Sequence, residues 1–409
     1  MATLKEKALA YHKKGKHGKL EVRPTKPART MEDLSLAYTP GVAEVCREIE
    51  KDPEKVYDYT IKGNCIAILT NGTRVLGLGN IGPSAGLPVM EGKALIYKLL
   101  GGIDAFPVCI KADSVDEFVM VAKALEPVFG AFNLEDIRSP DCFEIERRLT
   151  ESLSIPVFHD DQHGTAVSVC AALINALKIL GKNFNDVKIA ISGAGAAGLA
   201  VTKLLSSGFG ARKIVVCDSK GILFPGRDNL TEDKNEIATL TAPKERGGLK
   251  EAMKGADVFI GLSSAGIVSA GMVKSMAAQP IVFPLANPVP EISPEESKKA
   301  GAAIIGTARA DYPNQVNNSV AFPGLMRGLL DCRARKLNIE IKAAAARAIA
   351  GCVKKPTANN IIPTSLDKSI APKVAAAVVR AAQESRVAGK EIKDLKQYEN
   401  SVKKLISSA

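Results

Sequence analysis

Residues 187–221 read VKIAISGAGAAGLAVTKLLSSGFGARKIVVCDSKG, and this stretch decides the fold. Val187 to Ile191 has the length and branching of a buried strand. Gly193, Gly195 and Gly198 form G-x-G-x-x-G, Leu199 to Leu205 continues as a helix, and a second strand closes on Asp218. Strand, glycine turn, helix and strand make a βαβ unit, in which glycines let a pyrophosphate approach the N–H groups of a helix start. Gly193, Ala194, Gly195, Ala196, Ala197 and Gly198 are therefore the candidate cofactor cradle, with a plain βα turn as the alternative. Asp218 stands about twenty residues after the last glycine, where a ribose hydroxyl is held. Its carboxylate favours NAD because it repels a 2′-phosphate, yet Ser219 and Lys220 suit that phosphate, so NAD and NADP both stay open.

Outward from this unit, ADVFIGL from Ala256, PIVFPLANP from Pro280 and AAIIGT from Ala302 continue the strand series. From Pro323 the chain reads as helical. Upstream, Thr165 to Leu180 is apolar nearly all round, hence a buried helix, stopped by Gly181. Ahead of it CIAIL from Cys65, RVLGL from Arg74, FPVCI from Phe106 and IPVF from Ile155 read as strands. Glu91 to Leu100 and Val115 to Phe129 read as the helices between them. The alternation predicts an α/β protein of two domains with mostly parallel sheets. Residues 1–160 form an N-terminal α/β domain, 161–385 a Rossmann-type domain, and 386–409 a basic, helical tail. A second match to the glycine pattern, Gly77, Gly79 and Gly82, is followed by Pro83 and a Gly-Pro-rich stretch. No helix start is expected there, so it is not assigned a dinucleotide.

With 409 residues, 46% hydrophobic and 24% charged, the chain is of globular composition, which excludes disordered, collagen-like and disulfide-scaffold proteins. The formal charge of +11 raises a polyanion-binding hypothesis. That excess lies at the two ends, only 5% of residues are aromatic, Trp is absent, and no zinc-finger, RRM or KH pattern occurs. No nucleic-acid partner is expected. Neither a secretory leader nor an uninterrupted apolar run of spanning length is found, so the cytoplasm is expected, without membrane insertion. The eight cysteines form no C-x-x-C pair and read as small core residues.

Two carboxylate pairs carry chemistry. Glu135 and Asp136 (NLEDI) and Asp160 and Asp161 (FHDDQHGTA) adjoin strand ends, where hard cations such as Mg²⁺ or Mn²⁺ are held. Adjacent strand side chains point oppositely, so both members of a pair reach one ion only where the backbone leaves the strand. Three ligands or fewer are expected, with one carboxylate beside them; helix caps and solvated loop acids are the alternative. His159 and His163 straddle a strand-to-helix turn, which does not suit zinc. Lys93 (VMEGKALIYK) is placed in the first turn of a helix, where its pKa should fall if buried, suiting a general base; an ordinary surface lysine is the alternative. Tyr38 (LAYTPGVAEVC) taken alone reads as a core tyrosine.

LAYTPGVAEVC, NGTRVLGLGNIGP, PVMEGKALIYK, NLEDI, FHDDQHGTA, GAGAAG, LANPVPEI and NQVNNSVAFPG, in this order, resemble the successive signatures of the malic enzymes, specifically the short type. The resemblance implies oxidative decarboxylation of L-malate to pyruvate and CO₂ with reduction of NAD or NADP, dependent on Mg²⁺ or Mn²⁺, in a homodimer or larger assembly. It makes Tyr38 the general acid, Lys93 the general base, and Glu135, Asp136 and Asp161 the metal ligands with Asp160 beside them. Arg74, Asn287 and Asn317 would bind substrate carboxylates, and the 193–198 loop with Asp218, Lys220 and Asn287 the dinucleotide. Malolactic or oxaloacetate-decarboxylating activity on the same scaffold is the nearest alternative. A non-catalytic dinucleotide sensor or polyanion binder is the alternative from another class.

Overall fold

A computed structural model describes residues 3–408. Two sheets organise them. β1 (Cys65–Thr70), β2 (Asp104–Cys109), β3 (Ala131–Leu134) and β4 (Val157–His159) form a parallel sheet in the order β2-β1-β3-β4. β5 (Lys188–Ser192), β6 (Lys213–Asp218), β7 (Gly221–Ile222), β8 (Val258–Gly261), β9 (Ile281–Pro284) and β10 (Ile304–Ile305) form the second, ordered β10-β9-β8-β5-β6-β7. Only β6 and β7 pair antiparallel. The order reverses at β5, so the crevice outside its carboxyl end is the switch point where a doubly wound sheet receives its ligand.

The helix Asp160–Leu180 leads from the last strand of the first sheet toward the first of the second. It is long and apolar enough to cross a membrane, but 72% of its most apolar window is buried inside the protein. Gly181, in the left-handed region at φ 64°, caps it. One continuous core joins both sheets, running from Ile66, Ile68, Met90 and Phe158 through Val169 and Leu199 to Ile260, Leu325 and Val378. The chain's later helices return to the first unit: Phe322–Asp331 and Ile370–Glu384 both pack on the helix Gly82–Gly101. The basic C-terminal segment forms the helix Leu395–Ser407, whose Val402 and Ile406 bury against Ala371. Each fully buried aliphatic side chain of this kind stabilises by about 1.5–3 kcal/mol.

Three expectations are corrected. RVLGL from Arg74 is not a strand: Leu76 has φ 50° and Val75 makes only an isolated bridge to Gly79. The helix read as starting near Glu91 begins at Gly82, through GPSAGLP, with Pro83 in its first turn. Proline is tolerated there because the missing N–H has no intrahelical partner to lose. A helix start therefore does follow the second glycine match. The helix from Val115 ends at Leu125, not Phe129.

Candidate active site

The first sheet delivers Glu135 and Asp136 where β3 stops at Leu134. Asp136 adopts φ 52°, a left-handed conformation that breaks the strand's alternation, and its N–H donates to Asp161 Oδ2 at 3.0 Å. β4 delivers Asp160 and Asp161 into the first turn of the Asp160–Leu180 helix, whose N-terminal dipole favours negative charge. One carboxylate oxygen from each of Glu135, Asp136 and Asp161 lies within 4.8 Å of the others. Asp136 Oδ2 and Asp160 Oδ1 are buried with no hydrogen-bond partner. The unsatisfied buried oxygen of Asp136, one of these three acids, with a second on Asp160 beside them, fits a hard, oxygen-preferring dication. Burial, reinforced by neighbouring carboxylates, pushes Asp136 up to about 7 and raises Glu135. Burial also raises Asp160, while at Asp161 the opposing contact with His159 prevails and holds the carboxyl low.

Lys93 lies in the middle of the Gly82–Gly101 helix, not in its first turn. Its ammonium meets Glu135 Oε2 at 2.5 Å, bonds Asp160, and sits 4.7 Å above the Phe322 ring. Burial opposes its charge, but Asp160 and Glu135 overcome that and raise its pKa. The expected depression by a helix start is thus corrected: the local carboxylates, not the dipole, set this proton's affinity. One turn on, the buried Tyr97 donates its hydroxyl to Asn133 Oδ1 at 2.6 Å, and Asn133 Nδ2 donates to Glu135 Oε2 at 2.8 Å. This chain aims the Glu135 carboxylate.

Arg74 donates its backbone N–H to Asp136 O at 3.0 Å, and its exposed guanidinium reaches toward the glycine loop. Asn287 lies exposed after β9, where the turn around Gly77 approaches Asn287 and Pro288. Of the paired asparagines, Asn317 has its Oδ1 turned to Ser319 N and Oγ at 2.9 and 2.6 Å, which leaves its Nδ2 as the donor for a carboxylate. Asn318 is the one that reaches the site, donating Nδ2 to Asp160 Oδ2 at 2.5 Å. Nothing in the spacing of NQVNNS separates the two. Tyr38 is 69% exposed, and its side chain forms none of the hydrogen bonds found among the described residues.

In the loop, a β-carbon on Gly198 would stand 1.8 Å from Gly193 O, and one on Gly193 2.4 Å from Leu262 O. Those two glycines serve the turn's own packing. Only Gly195 faces open space, with Arg74 Nη1 as its nearest neighbour at 3.9 Å. It precedes the helix Ala196–Lys203, which has no side-chain cap, so its first N–H groups are free for an anion. Asp218 ends β6 with its carboxylate engaged by Arg227 and Lys234, and Lys220, exposed, donates its backbone N–H to it.

Two histidines that composition left idle are built in. His159 faces Asp161 Oδ2 at 3.2 Å through Nε2 and Gln162 Nε2 at 2.9 Å through Nδ1. Gln162 also donates to Glu146 Oε2 at 2.6 Å, and Glu146 meets His163 at 2.5 Å. The imidazoles thus serve different partners, His159 supporting a candidate ligand and His163 the base of the helix.

Two family models match: "Malic enzyme, N-terminal domain" over residues 17–150 and "Malic enzyme, NAD binding domain" over 162–383. A bifunctional malic/malolactic enzyme of Bacillus subtilis is 53% identical over 94% of this chain and 95% of its own. An NAD-dependent malic enzyme of Geobacillus stearothermophilus is 50% identical over 91% of this chain and 78% of its own. The crystal structure of the malic enzyme from Pyrococcus horikoshii superposes with a TM-score of 0.96 at 46% identity, covering 99% and 96% of the two chains.

Proposed function

The chain belongs to the malic enzyme family, and from that premise we infer that it converts L-malate to pyruvate and CO₂ with reduction of NAD or NADP, using the cluster around Lys93. The observation that carries the assignment is one buried lysine held between Glu135 and Asp160, beside two further carboxylates aimed at a common point.

Glu135, Asp136 and Asp161 would hold Mg²⁺ or Mn²⁺. When bound, the dication supplies a Lewis acid for the charge that builds as CO₂ departs, and the nicotinamide supplies the hydride acceptor. Lys93 takes the proton from the C2 hydroxyl. Its own proton is retained by Glu135 and Asp160, so whatever engages those carboxylates frees the amine to act as a base. Asp160, which touches both Lys93 and Asn318, fixes the lysine against the substrate side. Arg74, Asn287 and Asn317 are proposed to bind the malate carboxylates, with Asn318, which holds Asp160, beside them. The 193–198 loop receives the pyrophosphate over Gly195.

Tyr38 is proposed, on the family resemblance, as the acid that protonates C3 of enolpyruvate. Its side chain is 69% exposed within its own chain, and we propose that a second copy covers it. The N-terminal helices Leu4–Lys13, Met31–Ala37 and Val42–Lys51 bury no residue, and Leu9, Val22, Met31 and Leu36 stand exposed in the same N-terminal segment as Tyr38. A homodimer covering this face, resident in the cytoplasm, is the assembly we propose. Initial rates with L-malate and Mn²⁺, using each dinucleotide in turn, test the function: pyruvate and reduced dinucleotide should appear in equal amounts. Lactate formed without reduced dinucleotide would favour the malolactic reading, which the name of the Bacillus subtilis relative brings into the same assay.

A further inference from the structure

Lys342, His163, Glu146, Gln162 and His159 are neither acid, base nor ligand in the reaction, yet they form one directed run of hydrogen bonds that ends on Asp161. Its direction is set by Lys342 Nζ, which only donates, and by the Glu146 carboxylate, which only accepts. Glu146 Oε2 lies 2.6 Å from Gln162 Nε2, so the amide nitrogen faces it. The second N–H of that nitrogen goes to His159 Nδ1 at 2.9 Å. Nδ1 therefore accepts, the ring proton sits on Nε2, and Nε2 donates to Asp161 Oδ2 at 3.2 Å. On the other side, Lys342 Nζ donates to His163 Nδ1 at 3.3 Å. The His163 proton is thereby placed on Nε2, which donates to Glu146 Oε1 at 2.5 Å. Glu146 thus takes one donor on each oxygen.

Three helices clamp the run. Glu146 comes from Asp141–Ser152, Lys342 from Ile339–Gly351, and Gln162 and His163 from Asp160–Leu180, with His159 at its N-cap. His159 and Gln162 are buried, and the Glu146 and His163 side chains are only 16% and 13% exposed, so bulk water does not repair a broken link. Asp161 Oδ2 also accepts the Asp136 N–H at 3.0 Å and is gripped from two directions. Its Oδ1 accepts none of the hydrogen bonds found among the described residues and is the oxygen free for a cation. Were the Gln162 amide turned over, Oε1 would face Nδ1 and draw the proton there, leaving a lone pair of Nε2 against Asp161 Oδ2. Glu146 forbids that orientation, because it would set two acceptors against each other.

We propose that Glu146 and Gln162 are positioning residues for the metal site: they hold His159 in the Nε2–H tautomer, which fixes the Asp161 carboxylate for its cation. The proposal rests on the reading of Asp161 as a metal ligand.

Two measurements on the full chain, without malate or dinucleotide, test it. Ring ¹⁵N NMR of the parent should show His159 and His163 both protonated on Nε2; with four histidines in the chain, single substitutions of His12 and His17 complete the assignment. Mn²⁺ titration followed by electron paramagnetic resonance should show binding weakened by roughly 10–100-fold in Glu146→Gln and in Gln162→Met, the usual cost when a ligand loses its supporting partner. The double variant should bind no worse than the weaker single one, because both substitutions cut the same run. Dinucleotide affinity, measured separately, should stay near the parent's in these variants, which a general loosening of the fold would not allow. Should Glu146→Gln fail to fold, Gln162→Met, which matches the amide in length, carries the same readouts, and the parent's tautomer needs no variant. A proton on His159 Nδ1 in the parent, or Mn²⁺ affinity in folded Gln162→Met equal to the parent's, overturns the proposal. Absence of Mn²⁺ binding by the parent overturns instead the reading of Asp161 as a ligand.

Discussion

A lysine enclosed by two carboxylates and an aromatic face holds its proton until something competes for those carboxylates, and this couples Lys93 to the three acids beside it. Lys93→Ala should lower malate turnover by roughly 10²–10⁴-fold, the usual share of a general base, with dinucleotide affinity kept; stopped-flow hydride transfer and a binding titration separate the two. Asp136, pushed up to about 7 by burial and Asp161, gives a pH prediction whose sign is definite. A carboxyl raised in the folded state favours folding below its unfolded pKa and loses that contribution as pH rises through the folded value. Without metal, its share of stability should therefore decline between pH 4 and about 7. Because the ion must displace protons held by Asp136 and Glu135, Mn²⁺ affinity should be about tenfold or more weaker at pH 5.5 than at pH 8, measured by electron paramagnetic resonance; a flat profile would remove these carboxylates from the ligand set. At this scale residue types were legible and partners were not. Glu135, Asp136 and Asp161 stood out as acids at strand ends, but Asn133, Tyr97 and Gln162, which aim or brace them, are ordinary polar residues in any sequence. The lysine's raised pKa depends on contacts from β3 and β4, far from Lys93 in the chain.

Among elements, the glycine turn separates two demands that its motif merges. Gly198→Ala should destabilise the second unit by about 1–3 kcal/mol, since a β-carbon 1.8 Å from Gly193 O forces the backbone apart. Gly195→Ala meets only Arg74 Nη1 at 3.9 Å, so its melting temperature should stay near that of the parent while dinucleotide affinity falls. Calorimetric melting and a binding titration distinguish these outcomes, and a stable Gly198→Ala protein would contradict the packing account. The βαβ unit was legible because strand, turn and helix are contiguous and their periodicities differ. The Gly82–Gly101 helix was not read from its true start, because glycine and proline suggest a turn when local propensity alone is consulted. Packing against β2 and the Phe322–Asp331 helix overrides that propensity. RVLGL failed in the opposite way: its apolar residues look like a strand, yet with Leu76 at φ 50° they form a turn that approaches Asn287.

For the whole molecule, the shared core and the exposed N-terminal face lead to different consequences. The core binds both sheets together. The exposed face, with Tyr38 on it, is the surface the proposed dimer would cover. Tyr38→Phe and Lys93→Ala are each expected to be nearly inactive. Mixed after mild dissociation, they should recover about a quarter of parental activity, since half the dimers then carry one intact site. No recovery in subunits shown to exchange would confine Tyr38 to another role. None of this was legible in the net charge of +11, which pointed toward polyanions, because a sum over the chain says nothing of where the acids are buried. The most direct test of the central claim is product stoichiometry from L-malate with Mn²⁺, comparing the parent with Lys93→Ala. The account predicts pyruvate, CO₂ and reduced dinucleotide in equal amounts from the parent and almost none from the variant. Undiminished turnover by Lys93→Ala would contradict it.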